Sequence, residues 1–474
     1  MLQAPARFPE LLAAAQAQAA DLDPDGVLSL ALPLAPIDPL AGLPLLAEQT
    51  GDGFRFLWDG APGLCIAAAG RCHSLELSGA RRFELAQRFA TASLSRLGNA
   101  ADTPAMARAR VLLAFGFFDS PLQPDESAVP GVQAVLPRWQ LSRQGRHCWL
   151  RLQQNLGGGI TPRQTAEELW ELGQALAAAA GQLAGVRHGA DSMPSQEAIS
   201  SHSGADTHWQ RLYRQAAERA LELVNGGELS KLVLAVRQEL TLARPVEPLA
   251  LLAPLRRHQS GSCRFLWQRD RHAALLGASP ERLLTVRSGL LRSDALAGTA
   301  PGEPMAAAQL LQSEKDRHEH ELVVEAITEG LRQAGLDPCR PRRPRLARHG
   351  QLAHLHTPIH AALRHQHPLA VAATLHPTPA VAGLPRRQAM AWLRTLEPFE
   401  RGHYAAPLGW IDSCGDTDLR VAIRSGTLRG RRLELTAGAG LVQGSLPDRE
   451  LEEVTLKLGV LQQQLRATPA AGRL

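Results

Sequence analysis

Three things are scarce in this chain of 474 residues, and each scarcity removes a class of protein. Aromatic residues make up only 4%, so its basic stretches are not interleaved with the rings that stack on bases, and no nucleic-acid reading module is visible. Cysteine is sparse and scattered, at Cys65, Cys72, Cys148, Cys263, Cys339 and Cys414. No CxxC pair or His/Cys cluster of zinc spacing occurs, and the thiols are expected to be reduced and mostly buried. Long apolar runs are missing as well. The most apolar stretch, Val27 to Leu43, is broken by Pro33, Pro36, Asp38 and Pro39, short of the roughly 20 residues that span a bilayer. Met1 to Ala20 carries Pro5, Arg7, Pro9 and Glu10 where a signal peptide needs a clean apolar segment. A soluble, cytoplasmic protein with neither nucleic acid nor membrane as partner is the expectation.

What is present is ordinary globular chemistry. With 45% hydrophobic and 20% charged residues, the chain can bury a large interior without cross-links. Much of the net charge of +5 is local, in Arg340-Pro341-Arg342-Arg343-Pro344-Arg345, which reads as a solvated, proline-broken loop.

Short β-branched or aromatic runs predict strands at Val27 to Leu32, Phe54 to Trp58, Leu64 to Ala69, Arg110 to Phe118 and Cys148 to Gln153. Ala80 to Arg96 has helical periodicity, and Thr161-Pro162 opens a longer helix to Ala184 as N-cap and N1. Residues 187–206 are small, polar and aperiodic, and read as a linker between an N-terminal half (1–186) and a catalytic region (207–466), with a tail at 467–474. Beyond the linker, helices are expected at Trp209 to Asn225, Pro248 to His258, Met305 to Gly335 as the longest, Pro385 to Leu396 and Pro447 to Leu465. Strands are expected at Lys231 to Leu242, Arg264 to Trp267, His272 to Leu276, in a hairpin over Glu281 to Leu291, and in two pairs between Ala406 and Thr436. The mixture is α+β.

Several residues could carry chemistry. Asp316 and Glu319 stand three apart on one helix face, and Glu450, Glu453 and Lys457 lie on one stripe of the last helix, so each set could grip a divalent cation or simply form a solvated ion-pair surface. Ala437-Gly-Ala-Gly-Leu-Val-Gln-Gly444 reads as a glycine-rich turn before that helix, open to an anion or a plain connection. Lys231 heads an apolar strand, where desolvation would push it toward use as a base, or it caps a strand end. Glu281, after the turn Ala278-Ser-Pro280, could have its pKa raised toward use as an acid, or pair with Arg282.

These signals fall in one order along the chain. The blocks SKLVLAVR (230–237), LLGASPERLL (275–284), ALAGTAPG (295–302), SEKDRHEHELVVEAI (313–327), HLHTPI (354–359), LHPTPAVAGLPR (375–386), LEPFERGHYAAPLGWID (396–412), VAIRSG (421–426) and TAGAGLVQGS (436–445) resemble the chorismate-utilising enzymes. That family holds isochorismate, salicylate, anthranilate and aminodeoxychorismate synthases. The first half resembles it more loosely, in FRFLWDG, LCIAAAGR and VLLAFGFFD.

The resemblance implies an α/β sandwich of two facing antiparallel sheets with outer helices, the site between them. It implies chorismate as substrate, with Lys231 as the base that activates water for attack at C2 and Glu281 as the acid that protonates the departing C4 hydroxyl. By the same resemblance Glu319 and Glu453 hold Mg2+, with Asp316 and Glu450 in support. Arg424, Tyr404, Lys457 and the backbone of Ala437, Gly438 and Gly440 bind substrate carboxylates, and Gly298, Thr299, His354 and Ala380 line the site. The lysine at position 231 points to water as nucleophile, so no glutaminase subunit is expected, and a monomer or weak dimer is. Isochorismate formation is the expected activity, feeding menaquinone, phylloquinone or siderophore synthesis. Salicylate formation is the alternative within the family, and a non-catalytic chorismate-binding protein the alternative outside catalysis. Thr436 and Val381 depart from an aromatic and a leucine common at those places, which bears on substrate fit.

Overall fold

The computed structural model describes residues 7–23, 25–60, 62–98, 103–122, 128–156, 159–185 and 208–466. The linker and tail expected at 187–206 and 467–474 lie outside the described residues. The strands of the first half are β1 (Val27–Leu34), β2 (Arg55–Asp59), β3 (Cys65–Leu77), β4 (Arg110–Phe115), β5 (Val132–Gln144) and β6 (His147–Asn155). Those of the second are β7 (Lys231–Thr241), β8 (Cys263–Gln268), β9 (Ala273–Ser279), β10 (Arg282–Arg287), β11 (Leu290–Pro301), β12 (Arg345–His349) and β13 (Leu352–Ala362), followed by β14 (Gly383–Leu384), β15 (Pro407–Asp412), β16 (Thr417–Val421), β17 (Ser425–Arg429) and β18 (Arg432–Leu441). The helices are α1 (Phe8–Asp21), α2 (Pro39–Glu48), α3 (Arg82–Ser95), α4 (Pro162–Gly185), α5 (His208–Asn225) and α6 (Pro248–His258). They continue as α7 (Pro304–Gln312), α8 (Glu314–Gln333), α9 (Pro368–Leu375), α10 (Arg386–Leu396) and α11 (Pro447–Arg466).

All strand pairs are antiparallel. One layer runs β14, β7, β18, β17, β9, β8, β2, β3. The other runs β4, β15, β16, β10, β11, β13, β12. Strand β5 pairs with β3 along one edge and with β4 and β6 along the other, so hydrogen bonding joins the facing layers into a single 18-stranded ladder.

Period-two alternation explains why the layers face each other. Phe54, Phe56 and Trp58, Ile66 and Ala68, Phe265 and Trp267 of one layer meet Leu112, Ala114, Leu408 and Trp410 of the other in an inner apolar cluster. Their neighbours Leu57, Ala67, Val111, Leu113 and Leu266 point the opposite way, into the larger core beneath the helices. Phe54 and Phe56 set their rings edge-on to Trp267, and the indole N–H of Trp267 donates to Gln133 at 2.9 Å.

Three expectations need correction or sharpening. The helix expected over Met305 to Gly335 is two helices, α7 and α8, broken at Ser313. Ser313 takes extended backbone angles and its hydroxyl accepts from the Asp316 N–H at 3.2 Å, because a serine offers the orphan amides of a new helix a partner that an unbroken helix would not need. The glycine-rich turn expected at Ala437 to Gly444 is, as far as Leu441, the end of β18, paired with β7 from Thr241 to Leu232. Cys65, Cys148 and Cys263 are buried, but Cys339 and Cys414 are exposed, and all six cysteines are free. Thr161 caps α4 as expected: its hydroxyl accepts from Gln164 N–H at 3.2 Å, and its own N–H donates to the Gln164 side chain at 2.9 Å. Among the described residues no helix is long and apolar enough to cross a membrane.

Trp267→Ala should lower the unfolding free energy by about 3–5 kcal/mol, read from urea or thermal denaturation. A loss below about 1 kcal/mol would show that the inner aromatic cluster does not hold the layers together.

Candidate active site

The chain passes from one layer to the other at Pro280-Glu281, between β9 and β10, and returns at Ala422 to Arg424, between β16 and β17. These two crossings are laced together. Ser279 Oγ donates to the Val421 carbonyl at 2.6 Å, Val421 N–H to the Glu281 carbonyl at 3.1 Å, and Ala278 N–H to the Arg424 carbonyl at 3.1 Å. Glu281 and Arg424 are thereby fixed side by side at the seam. Arg424 holds φ at 50°, a left-handed conformation that a non-glycine residue keeps only where its surroundings enforce it.

A cleft opens at this seam, and Glu281, Gly298, Thr299, Glu319, His354, Ala380, Tyr404, Arg424, Ala437, Gly438, Gly440, Glu453 and Lys457 all line it. Val381 and Thr436, the two departures from the family pattern, line it too. The remaining wall is apolar, from Val233, Pro280, Leu296, Ala297, Ala405 and Ile423, which sequence reasoning did not single out. Val233 was within reach, since strand alternation puts it on the same face as Lys231. Ala405 and Ile423 have no local signal.

Burial dominates the electrostatics. Glu281 is 5% exposed, and burial pushes its carboxyl up to about 7, against the opposing pull of Lys231, Lys457 and Arg424. Arg282 does not neutralise it, being bonded to Asp294 at 2.8 Å. Lys231, 1% exposed, is fixed by a 2.8 Å bond from Nζ to Glu319 Oε1 and stands behind the cleft wall. Burial works against ionisation of Glu319, but Lys231, then Lys315 and Lys457, outweigh it and hold the carboxyl below its ordinary range. Lys457 Nζ reaches Glu453 at 2.7 Å and the Gly438 carbonyl at 2.8 Å. Glu450 does not line the cleft; it is 1% exposed and bonded to Lys315. Asp316 lies against Gly298 and is raised by burial, and by Glu319 and Glu453.

Two glycines are indispensable to this geometry. A Cβ on Gly440 would stand 2.3 Å from Glu319 Oε1 and 3.0 Å from Lys231 Cε, so the end of β18 lacks a side chain in order to admit the ion pair. Gly298, with φ at 71°, sits at the register shift between Ala297 and Thr299 and turns its carbonyl to His354 Nδ1 at 3.0 Å. That bond makes Nδ1 the protonated nitrogen, leaving Nε2 to accept from Arg424 Nη2. Burial, then Arg424, keeps His354 well below its ordinary pKa, so the ring is neutral. Arg424 donates its other arm to the His349 carbonyl at 3.3 Å and has no carboxylate within ion-pair distance among the described residues. Lys231 and Lys457 are each paired with a glutamate, so Arg424 is the cation of this site with no carboxylate partner among the described residues.

Among the described residues no three His, Cys, Asp or Glu side chains converge on a metal position. Glu319 and Glu453 nevertheless supply two hard carboxylates to one cleft. That donor set suits Mg2+, which commonly takes one or two protein carboxylates and completes its shell with water and substrate.

The seam thus places a buried acid titrating near neutrality beside a guanidinium that has no carboxylate partner among the described residues. The chain belongs to the chorismate binding enzyme family, whose profile matches residues 13–466. It is 39% identical over 292 residues to the salicylate biosynthesis isochorismate synthase of Pseudomonas aeruginosa, covering 60% of each chain. It is 36% identical over 259 residues to the Escherichia coli isochorismate synthase EntC, covering 53% of this chain and 66% of that one. The match thus spans about 60 to 66% of the length of these curated relatives. The structure of MenF, the menaquinone-specific isochorismate synthase from Escherichia coli, superposes with a TM-score of 0.73 at 26% identity, over 96% of this chain and 99% of that one.

The raised acid predicts a pH effect. Glu281 binds its proton more tightly folded, near 7, than at its ordinary value of 4.5. Its contribution to stability is therefore complete below 4.5 and is lost as pH rises through 7. Relative to Glu281→Gln, the wild-type chain should lose roughly 3 kcal/mol of stability across that window. Parallel stability curves for the two proteins would contradict the shift.

Proposed function

We propose that the chain is an isochorismate synthase, a Mg2+-dependent enzyme that reversibly converts chorismate to isochorismate by adding water at C2 and releasing the C4 hydroxyl. The observation that carries this reading is Glu281, an acid titrating near 7, set in the same buried site as the Lys231–Glu319 ion pair. An acid with that pKa is substantially protonated at neutral pH and can hand its proton to a departing hydroxyl without first drawing it from solvent. Lys231 is the candidate base for the entering water: it passes a proton along its 2.8 Å bond to Glu319 and the freed amine takes one from the water. Arg424, oriented by His354, offers two N–H donors in a planar fork that fits a carboxylate, and Lys457 stands on the same wall for a second one. The apolar residues of the cleft keep bulk water from competing with the one that reacts.

Glu319 and Glu453 would hold Mg2+, which would neutralise a substrate carboxylate and polarise the ring attached to it. Asp316 and Glu450 support them from outside, Glu450 through Lys315. No ammonia-producing subunit is required, since the attacking group is water, and the cytoplasm is the proposed compartment. A destination in menaquinone synthesis is supported by the likeness to the menaquinone-specific enzyme over nearly the whole chain.

Purified protein incubated with chorismate and Mg2+ should yield an equilibrium mixture of chorismate and isochorismate on chromatography. Salicylate with pyruvate would make it a salicylate synthase, and unchanged chorismate would refute the reading. Lys231→Ala should abolish turnover, by about a hundredfold or more, while chorismate binding survives. Glu453→Ala should lose activity together with its dependence on Mg2+. Full activity in either variant would overturn the role assigned to that residue.

A further inference from the structure

The arginine run is solvated as expected, with Arg342, Arg343 and Arg345 exposed. It folds against the outer face of α8, the face opposite Asp316 and Glu319, and encloses a groove that shares no residue with the cleft. Arg317 of α8 and Arg340, Arg342 and Arg343 of the loop line it. Four guanidinium groups there face two carboxylates, Glu314 and Glu321, and Glu321 is already taken by Arg340 at 2.8 Å. Pro341 and Pro344 fix φ on either side of Arg342 and Arg343, so little loop entropy remains to be lost on binding.

His320 also lines the groove, is 1% exposed, and its Nδ1 has no hydrogen-bond partner. Its Nε2 is engaged with the Thr357 hydroxyl at 2.8 Å.

We propose that this groove is a second binding site, for a small anion bearing a di- or triphosphate. Several guanidinium forks around one hollow match the many oxygens of a phosphate chain better than a single carboxylate. No Phe, Tyr or Trp lines the groove to stack on a base, which disfavours a nucleic-acid strand.

The test is calorimetric titration of the intact chain with inorganic triphosphate, with a chelator present and at about 0.15 M salt, where loose surface attraction is screened. Saturable one-to-one binding is expected. The doubly substituted Arg342→Gln, Arg343→Gln protein, with an unchanged melting temperature, should bind about tenfold more weakly or worse. Arg424→Gln, which alters the cleft, should bind as the wild type does. Absence of saturable binding, equal affinity in the double variant, or loss of binding in Arg424→Gln would overturn the proposal. Tighter binding of a single-stranded oligonucleotide than of triphosphate would overturn it too, and make the surface one for nucleic acid.

Discussion

Charge buried at a seam must be paired, and the bond between Lys231 and Glu319 is the pair around which this site is arranged. An unpartnered ammonium at 1% exposure would destabilise the fold by several kcal/mol, so the lysine at the head of β7 requires a carboxylate from α8. That carboxylate in turn requires space, which β18 provides by carrying Gly440 where any side chain would strike both partners. One ion pair therefore ties together a strand, its neighbour and a helix over the other layer. Lys457 with Glu453 and Lys315 with Glu450 repeat the device around it. Glu281 is the exception. It is as deeply placed as the others, but burial outweighs the cations near it and raises its carboxyl to about 7.

The same seam explains why the site lies where it does. A ladder folded into two layers must send the chain across the gap, and the crossings at Glu281 and Arg424 lie beside each other because β10 pairs with β16 and β9 with β17. Backbone at a crossing cannot continue either ladder, so it is available for unusual conformations such as the left-handed Arg424. Glu281 and Arg424 are thus supplied by segments whose geometry the sheet itself dictates. The lining between them is apolar, which strengthens each charge interaction inside.

Much of this was legible in the sequence where the signal is local. The aromatic run Phe54 to Trp58 and the apolar run after Lys231 located strands, and Thr161-Pro162 located the start of α4. Spacing alone put Asp316 with Glu319, and Glu450 with Glu453. What was not legible depends on partners distant in the chain. Strand β5, with Gln133, Pro137, Arg138, Gln140 and Ser142 among its residues, lacks a strand's usual polarity pattern because its polar groups are buried against other elements: Gln133 takes the Trp267 N–H, and Gln140 donates to Arg108 O at 2.9 Å. The end of β18 read as a turn because Gly440 answers to Lys231 and Glu319, two hundred and one hundred residues or so away, and not to backbone freedom. The break at Ser313 was written in its side chain, but apolar periodicity on both sides outvoted one capping residue. The lysine partners of Glu319, Glu450 and Glu453 include two, Lys231 and Lys315, that only the tertiary fold brings to them.

The central claim is that water enters at C2 while the C4 hydroxyl leaves, with opposed proton roles for Lys231 and Glu281. Turnover of chorismate in water enriched in heavy oxygen tests it most directly, with the position of the label read by mass spectrometry. Label in the C2 hydroxyl of isochorismate, and with longer incubation in the C4 hydroxyl of the returning chorismate, is the predicted result. Isochorismate formed without label would mean that the hydroxyl migrates within the substrate, and would contradict the account.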